Sequence, residues 1–398
     1  METTVGFDTA TRVYSQLVGN MATDGNSAKK YWYYVKLMGR SVSRISLEVA
    51  LQTHPNVVVL GEDIEARKAT LIDIVREIAD AVCERAINGK NYGIVLVPEG
   101  AIGYIPELRT LISEMNHLFS EGVPATAVPE KLTPWSQAVL QYLPALIRQQ
   151  LFLERESSGA VQLSQINTER LLAELVGEEL NARKAKNRYN GKYATICSSF
   201  GYQARCSLPS NFDCCYGSTL GATAGALIAG GFHGYMATVR NLASPTSAWE
   251  PAGVPLTAVM SVPTPSVSLA AQGSSNLGSS SSSTNSTAVG IRPTIPSSPV
   301  DVHGGAFQHL LQQTSAWRKG EYYANPGPIQ FAGSTADSRT ACLALERHQY
   351  MKRIELLRTK LDMIRDICRP GVSDSLLDAA VSGISSLADI LNVIKQKE

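Results

Sequence analysis

Short apolar runs separated by amphipathic stretches dominate the first third of the chain. Residues 56–60 and 94–97 are two such runs, each rich in β-branched side chains. Between them, residues 70–87 place apolar side chains at the three- and four-residue spacing of a helix with one buried face. Continuous apolar strands flanked by amphipathic helices are typical of buried parallel strands in βαβ units. The pattern therefore predicts an α/β domain over residues 1–128.

The pattern changes in the middle of the chain and again near its end. Leucine-rich helical periodicity predicts a helical insertion over residues 129–190, and alternating strand and helix signals resume the α/β domain over residues 191–261. Residues 262–300 are dominated by Ser, Pro, Thr and Gly, which cannot build a core, so we expect a disordered low-complexity insertion there. Helical spacing returns over residues 301–398 and predicts a helical C-terminal region.

The balance of charge excludes some classes of partner. Lys and Arg number 36 against 35 Asp and Glu, so the formal net charge is +1 and gives no general attraction for nucleic acid or an anionic membrane. Any anion must therefore be recognised locally. The seven cysteines are odd in number and include no Cys-x-x-Cys pair, which favours reduced thiols in a cytoplasmic protein over a disulfide framework.

One uncharged stretch partly resembles a membrane helix. No Asp, Glu, Lys or Arg lies between Asp213 and Arg240, and Gly217, Gly221 and Gly225 recur at four-residue spacing. Large apolar residues are few there and polar residues interrupt them. We therefore expect a buried helix whose glycines let another backbone approach closely.

Polar groups follow two of the predicted strands. Glu99 comes shortly after the apolar run 94–97, and Tyr202 and Arg205 follow a strand signal at 193–197. Ligands of open α/β sheets bind beyond the carboxyl ends of the strands, where a carboxylate can accept bonds from sugar hydroxyls and an Arg can bind phosphate. The alternatives are a helix-capping role for Glu99 and an ion pair with a helix carboxylate for Arg205.

Basic and aromatic residues are concentrated between residues 29 and 40. Gly39 allows close approach of a ligand, and Arg40 stands where a helix is predicted to start, a position that favours anions. The aromatic side chains could stack the bases of single-stranded nucleic acid, but in a neutral chain a buried Tyr/Trp strand is the favoured interpretation.

Motifs for a phosphoryl donor are missing from the sequence. It contains neither Gly-x-x-x-x-Gly-Lys-Ser/Thr nor Gly-x-Gly-x-x-Gly, and its six histidines include no pair at metal-binding spacing. The chain thus carries groups suited to a sugar and a phosphate without a visible donor loop.

Several strings occur in the order of one known family along most of the chain. They are VGFDTATRVYSQL (5–17), SAKKYWYYVKLMGRSVSRISLEVALQTHPN (27–56), VLVPEG (95–100), KLTPWSQAVLQYLP (131–144), QLSQINTERLLAELV (162–176), FGYQARCSLPSNFD (200–213), GYMATVRNL (234–242) and NPGPIQF (325–331). In these strings the chain resembles the pyrophosphate-dependent phosphofructokinases, and the plant-like long form most closely. The resemblance implies a phosphofructokinase-like layered α/β domain with a helical insertion and a helical C-terminal region.

The resemblance also implies a reaction and a site. The reaction is the glycolytic transfer of a phosphoryl group from pyrophosphate to fructose 6-phosphate, which gives fructose 1,6-bisphosphate and uses Mg²⁺. Met38, Gly39 and Arg40 match the family's sugar-phosphate motif, and Glu99 matches its ligand for the sugar hydroxyls. The loop that closes on the phosphate corresponds to Tyr202, Gln203, Ala204 and Arg205. Lys30 and Tyr31 match residues that the family donates across a subunit interface to the neighbouring site. The donated pair implies a homo- or hetero-oligomer with a shared sugar site.

The chain departs from the family on the donor side. Family members carry a Gly-Gly-Asp-Gly-Thr-type loop for pyrophosphate and magnesium and a Thr-Ile/Val-Asp-Gly-Asp segment whose Asp acts as general base, and neither occurs in this sequence. The resemblance therefore implies the sugar-binding half of the enzyme, with no catalytic residue of its own, Mg²⁺ ligands in a missing N-terminal domain and no activity in isolation. We expect the sequence to be a truncated gene model or fragment, with a natural short isoform as the alternative. For the function, the alternative is a non-catalytic regulatory subunit that binds a sugar phosphate.

Overall fold

The structure is a computed structural model that describes residues 2–39, 43–153, 161–261, 295, 297–333, 336–337 and 340–342. All of these residues belong to the first of two units of the chain, Met1–Ala344. Arg40, most of the predicted low-complexity insertion at 262–300 and the predicted helices beyond residue 342 lie outside the described residues.

Four parallel strands form the central sheet. They are β1 (Trp32–Leu37), β2 (Val57–Val58), β3 (Gly93–Pro98) and β4 (Thr195–Phe200), in the spatial order β2-β3-β1-β4. A separate antiparallel pair consists of β5 (Tyr235–Arg240) and β6 (Glu250–Pro255). The parallel sheet is the α/β arrangement that the apolar runs predict, and it includes a strand from beyond the helical insertion.

Helices cover both faces of this sheet in the described part of the chain. They are α1 (Phe7–Ala28), α2 (Arg44–Thr53), α3 (Gly61–Arg67), α4 (Leu71–Ile87), α5 (Pro106–Ser120), α6 (Val128–Lys131), α7 (Pro134–Tyr142), α8 (Ala145–Leu153), α9 (Thr168–Ala185), α10 (Tyr202–Arg205), α11 (Asn211–Ala229), α12 (Leu256–Val259) and α13 (Gly305–Lys319). Three 3-10 turns span Glu99–Gly103, Leu163–Gln165 and Thr246–Ala248.

Alternate side chains of β1 belong to two different cores. Trp32 and Tyr34 pack among residues of α4, α5 and α9, whereas Val35 and Leu37 pack with α1, α2 and α13 on the other face. This period of two is the geometry of a strand that is buried on both faces. All six residues of β1 are buried, so the favoured prediction of a buried Tyr/Trp strand is confirmed and the aromatic rings are not free to stack bases.

The helices of residues 129–190 complete one of these cores. Leu140, Ile147 and Leu171 are buried in the cluster that contains Trp32. The N-terminal end of α9 lies near the carboxyl end of β1, because Glu169 forms an ion pair with Lys36. The insertion therefore reaches the edge of the sheet where the predicted ligand groups emerge.

Two elements begin or end differently from the sequence pattern. β2 is only two residues long, because the chain turns into α3 at Gly61, soon after the strand ends. Gly61 lies against the ring of Tyr104. α2 begins at Arg44, later than the pattern predicts. By contrast, α4 begins as expected, behind Thr70, which forms a capping box with the third residue of the helix.

The glycine-rich helix α11 is not buried in the predicted way. Its buried stripe consists of Phe212, Tyr216 and Thr223, while an added Cβ at Gly221 or Gly225 would touch no other described residue. The glycines fall on a different face from the aromatic stripe, so the expectation of close backbone approach is wrong for the described residues. No helix among the described residues combines the length and apolarity that a membrane span requires.

Candidate functional site

Three chain segments meet at the carboxyl edge of the parallel sheet. Leu37 of β1 pairs in register with Pro98 of β3 and with Phe200 of β4, so all three strands end at the same level. The residues that follow them are the predicted ligand groups. They line a cleft of about 310 Å³ together with residues of the helical insertion: Lys36, Leu37, Met38, Glu99, Gln162, Ser164, Gln165, Asn167, Ser199, Phe200, Gly201, Tyr202, Gln203 and Arg205.

Gly39 and Glu99 hold two of these segments together. The Gly39 N–H donates to Glu99 Oε2 at 3.2 Å, and the Gly39 carbonyl accepts from the Gly100 N–H at 2.9 Å. Gly39 has a φ of 153°, a backbone conformation that only glycine adopts readily. The Glu99 carboxylate thus bonds across to another segment instead of capping its own turn, and an ionised carboxylate accepts bonds from hydroxyls.

The predicted phosphate loop is a single helical turn, α10. Ala204 is buried beneath it, whereas Tyr202 and Arg205 are exposed toward solvent. The Arg205 guanidinium lies 5.5 Å from the centroid of the Tyr202 ring, and its Nε is 3.1 Å from Met38 Sδ. No described carboxylate forms an ion pair with Arg205, so its charge is available for an anion.

Tyr14 of α1 supports this turn from below and was not singled out from the sequence. Its hydroxyl donates to the Gly201 carbonyl at 2.8 Å, and its ring stacks on Phe200 with centroids 6.5 Å apart. Burial raises the pKa of Tyr14 to about 12. Two smaller effects act in opposite directions: the charge of Arg205 lowers this pKa and that of Glu99 raises it. Tyr14 therefore keeps its proton at physiological pH and acts as a fixed hydrogen-bond donor.

The structure does not bring every predicted residue to the cleft. Lys30 and Tyr31 precede β1 and lie at the opposite edge of the sheet, roughly 20 Å away at 3.3 Å per strand residue. There the Lys30 ammonium lies 5.8 Å from the centroid of the Tyr31 ring. Arg40 is outside the described residues. Five of the ten predicted residues line the cleft, namely Met38, Glu99, Tyr202, Gln203 and Arg205, and Gly39 and Ala204 are their immediate neighbours in the chain.

Sequence reasoning missed one whole wall of the cleft. Lys36 and the segment Gln162–Asn167 line it, although neither was predicted to bind a ligand. A lysine inside an otherwise apolar, fully buried strand is a signal that could have been used, because a buried ammonium requires partners. The position of Gln162–Asn167 depends on how the insertion folds back, which no local pattern indicates.

The described residues do not fit a metal ion. They contain no group of three or more His, Cys, Asp or Glu side chains that could hold one. Magnesium, which the resemblance implies, therefore has no ligand set among the described residues of this chain.

Several known proteins are similar to this chain in sequence. Residues 1–228 match the family model described as phosphofructokinase. The chain is 44% identical over 395 residues to a protein of Arabidopsis thaliana named pyrophosphate–fructose 6-phosphate 1-phosphotransferase subunit alpha 1, covering 99% of this chain and 62% of that one. It is 40% identical over 346 residues to the beta subunit of Solanum tuberosum, covering 86% of this chain and 57% of that one.

One bacterial relative and one solved structure were also found. The pyrophosphate–fructose 6-phosphate 1-phosphotransferase of Porphyromonas gingivalis is 39% identical over 360 residues, covering 87% of this chain and 62% of that one. The crystal structure of Pichia pastoris phosphofructokinase in the T-state aligns with a TM-score of 0.38 and 15% identity, over 64% of this chain and 20% of that one. The chain spans about three fifths of the length of the curated relatives it matches.

Proposed function

Because the chain belongs to the phosphofructokinase family, we propose that it supplies the fructose 6-phosphate site of a phosphotransferase. The phosphoryl donor in the proposed reaction is pyrophosphate, as in the names of its relatives, and the product is fructose 1,6-bisphosphate. The observation that carries the proposal is the presence of Glu99 and Arg205 on one small cleft at the carboxyl edge of the sheet.

The two charged groups suit the two ends of a sugar phosphate. The permanently charged guanidinium of Arg205 binds the 6-phosphate, with Tyr202 as an aromatic wall beside it. The Glu99 carboxylate accepts hydrogen bonds from the sugar hydroxyls at the other end of the ligand. A cleft of about 310 Å³ is at the small end of the range for ligand pockets, which suits a monosaccharide better than a nucleotide.

Holding the acceptor in place is the contribution of this chain to catalysis. Phosphoryl transfer depends on positioning and on electrostatic stabilisation of the transferred group, so an acceptor site fixed by buried strands lowers the barrier through orientation. Gly39 and Tyr14 serve this purpose, because they hold the Glu99 and α10 segments with hydrogen bonds from the sheet and from α1.

The names of the relatives favour an assembly of unlike subunits. The chain matches alpha subunits over 99% of its length and a beta subunit over 86%, so we propose an alpha-type subunit in a hetero-oligomer in the cytoplasm. In it, Lys30 and Tyr31 reach the sugar site of the neighbouring subunit.

The regulatory alternative uses the same cleft, and addition of a beta-type subunit distinguishes the two functions. A regulatory chain changes the fructose 6-phosphate response of an active beta-type partner, and Arg205→Ala abolishes that change because it removes sugar-phosphate binding in the cleft. No change on addition of the wild-type chain would contradict the regulatory alternative.

Calorimetric titration of the 398-residue chain with fructose 6-phosphate tests the proposed site. We expect saturable binding that Arg205→Ala weakens at least tenfold, because a charge-assisted hydrogen bond to phosphate contributes about 1.5–3 kcal/mol. Arg109→Ala is the matched control, since Arg109 is paired with Glu65 outside the cleft. Equal effects of the two substitutions, or no binding to the wild-type chain, would contradict the proposal.

A further inference from the structure

One wall of the cleft comes from the helical insertion. The segment Gln162–Asn167 contributes Gln162, Ser164, Gln165 and Asn167 to the lining. We propose that this segment is the specificity wall of the sugar site, that its side-chain amides read the sugar hydroxyls, and that the buried Lys36–Glu169 pair positions it. The inference rests on the proposed fructose 6-phosphate site and assigns new residues to it.

Lys36 ties this segment to the central sheet. Its ammonium donates to the Ile166 carbonyl at 3.0 Å and to the Ser164 carbonyl at 3.4 Å. Both carbonyls belong to the segment, and the Ile166 side chain is fully buried in the core. Lys36 thus fixes the backbone of the specificity wall relative to β1, the strand that also leads to Met38 and Gly39.

Glu169 supplies the counter-charge that a buried lysine needs. Its Oε2 lies 3.6 Å from Lys36 Nζ, and both side chains are 6% exposed. Burial raises the pKa of Glu169 above its ordinary value, while Lys36 acts in the opposite direction. A deeply buried ion pair contributes little net stability compared with an apolar pair of the same size. The Lys36–Glu169 pair lies beside the cleft, and its role there is to fix one arrangement of the segment Gln162–Asn167.

The amides of the segment are free to bind. Within the described residues, the side chains of Gln162, Gln165 and Asn167 make no hydrogen bond, although all three line the cleft. A side-chain amide carries both donors and an acceptor, as a sugar hydroxyl does, whereas an isolated phosphate offers chiefly acceptors. These amides therefore suit the hydroxyl-bearing part of the ligand and complement Arg205, which suits its phosphate.

The role of the amides is tested by comparing two ligands. We expect Gln165→Ala and Asn167→Ala each to weaken fructose 6-phosphate binding by about three- to tenfold, the effect of losing one neutral hydrogen bond, and to leave inorganic phosphate binding unchanged. Gln312→Ala, on the exposed side of α13, is the control. If neither ligand's affinity changed, or if both affinities fell in parallel, the proposed binding of sugar hydroxyls by these amides would be refuted.

The positioning role of Lys36 has its own variants. Lys36→Met and Glu169→Gln should lower the preference for fructose 6-phosphate over inorganic phosphate, and Lys36→Arg should restore most of it. Glu174→Gln is the matched control, because Glu174 lies on the same helix in an exposed pair with Arg170. A preference that stays at the wild-type value in folded Lys36→Met and Glu169→Gln would overturn this role. If the wild-type chain bound no fructose 6-phosphate, the proposed function would fail and this inference with it.

Discussion

The backbone N–H of Gly39 donates to the carboxylate of Glu99 and so joins the ends of two neighbouring strands, β1 and β3. The hydrogen bond fixes the one carboxylate found among the described residues that line the cleft. Because Gly39 has a φ of 153°, the geometry depends on the absence of a side chain at this residue. The backbone conformation of Gly39, the orientation of the Glu99 carboxylate and the binding of a sugar at the cleft therefore depend on one another.

Gly39→Ala should impair folding and binding together. A side chain at this φ costs on the order of 1–3 kcal/mol, and relief of the strain would move the N–H away from Glu99. We expect a lower melting temperature and weaker fructose 6-phosphate binding in calorimetry. Gly89→Ala is the control, because Gly89 also has a positive φ, of 73°, but lies in open space away from the cleft. It should lower stability and leave ligand affinity unchanged.

Tyr14→Phe should loosen α10 without removing any group that touches the ligand. The lost bond to the Gly201 carbonyl contributes about 0.5–1.5 kcal/mol, so chemical denaturation should show a loss of that size. Amide hydrogen exchange in residues 201–206 should become faster in the variant. If exchange there stayed at the wild-type rate, Tyr14 would not be the support of this turn.

Tyr14 also makes the stability of the protein depend on alkaline pH. Its pKa is raised from 10.0 to about 12 in the folded state, so above pH 10 the unfolded chain loses this proton first and stability falls between pH 10 and 12. Below pH 10 the contribution is fully present. The difference in unfolding free energy between wild type and Tyr14→Phe should therefore shrink or reverse over this range. A difference independent of pH up to 12 would contradict the raised pKa.

Asp213 joins the start of α11 to the start of α1. Its carboxylate accepts from the Gly6 and Thr9 N–H groups, both at 2.8 Å, and from the Thr9 hydroxyl. Asp213→Asn places an NH₂ group against these donors, and we expect a loss of about 1–3 kcal/mol in urea denaturation. Asp80→Asn, which breaks a surface pair with Arg183, should cost less than about 1 kcal/mol. Equal losses would show that the carboxylate of Asp213 does not hold the two helices together.

The sequence predicts the sheet better than it predicts the walls of the cleft. The apolar runs indicate parallel strands, and strands that end in register bring Glu99 and Arg205 to one edge, so local pattern and a general rule of α/β folds suffice there. Gln162–Asn167 escaped prediction because its position depends on how a helical insertion packs across the sheet. Lys36, by contrast, lies in β1, and a lysine in an apolar buried strand is a local signal that was overlooked. The exposure of the glycines in α11 was not predicted for a reason related to that of Gln162–Asn167. Regular spacing of small residues indicates a helix face that another backbone can approach, but it does not indicate whether a backbone lies there.

Amide hydrogen exchange of the 398-residue chain with and without saturating fructose 6-phosphate tests the sugar-phosphate site most directly. We expect slower exchange in three separate segments that meet only at the cleft: residues 37–39, 98–103 and 200–206. Segments on the opposite edge of the sheet, such as residues 88–92, should be unaffected. Protection confined to other parts of the chain, or no protection at saturation, would contradict the claim that these strand ends form a sugar-phosphate site.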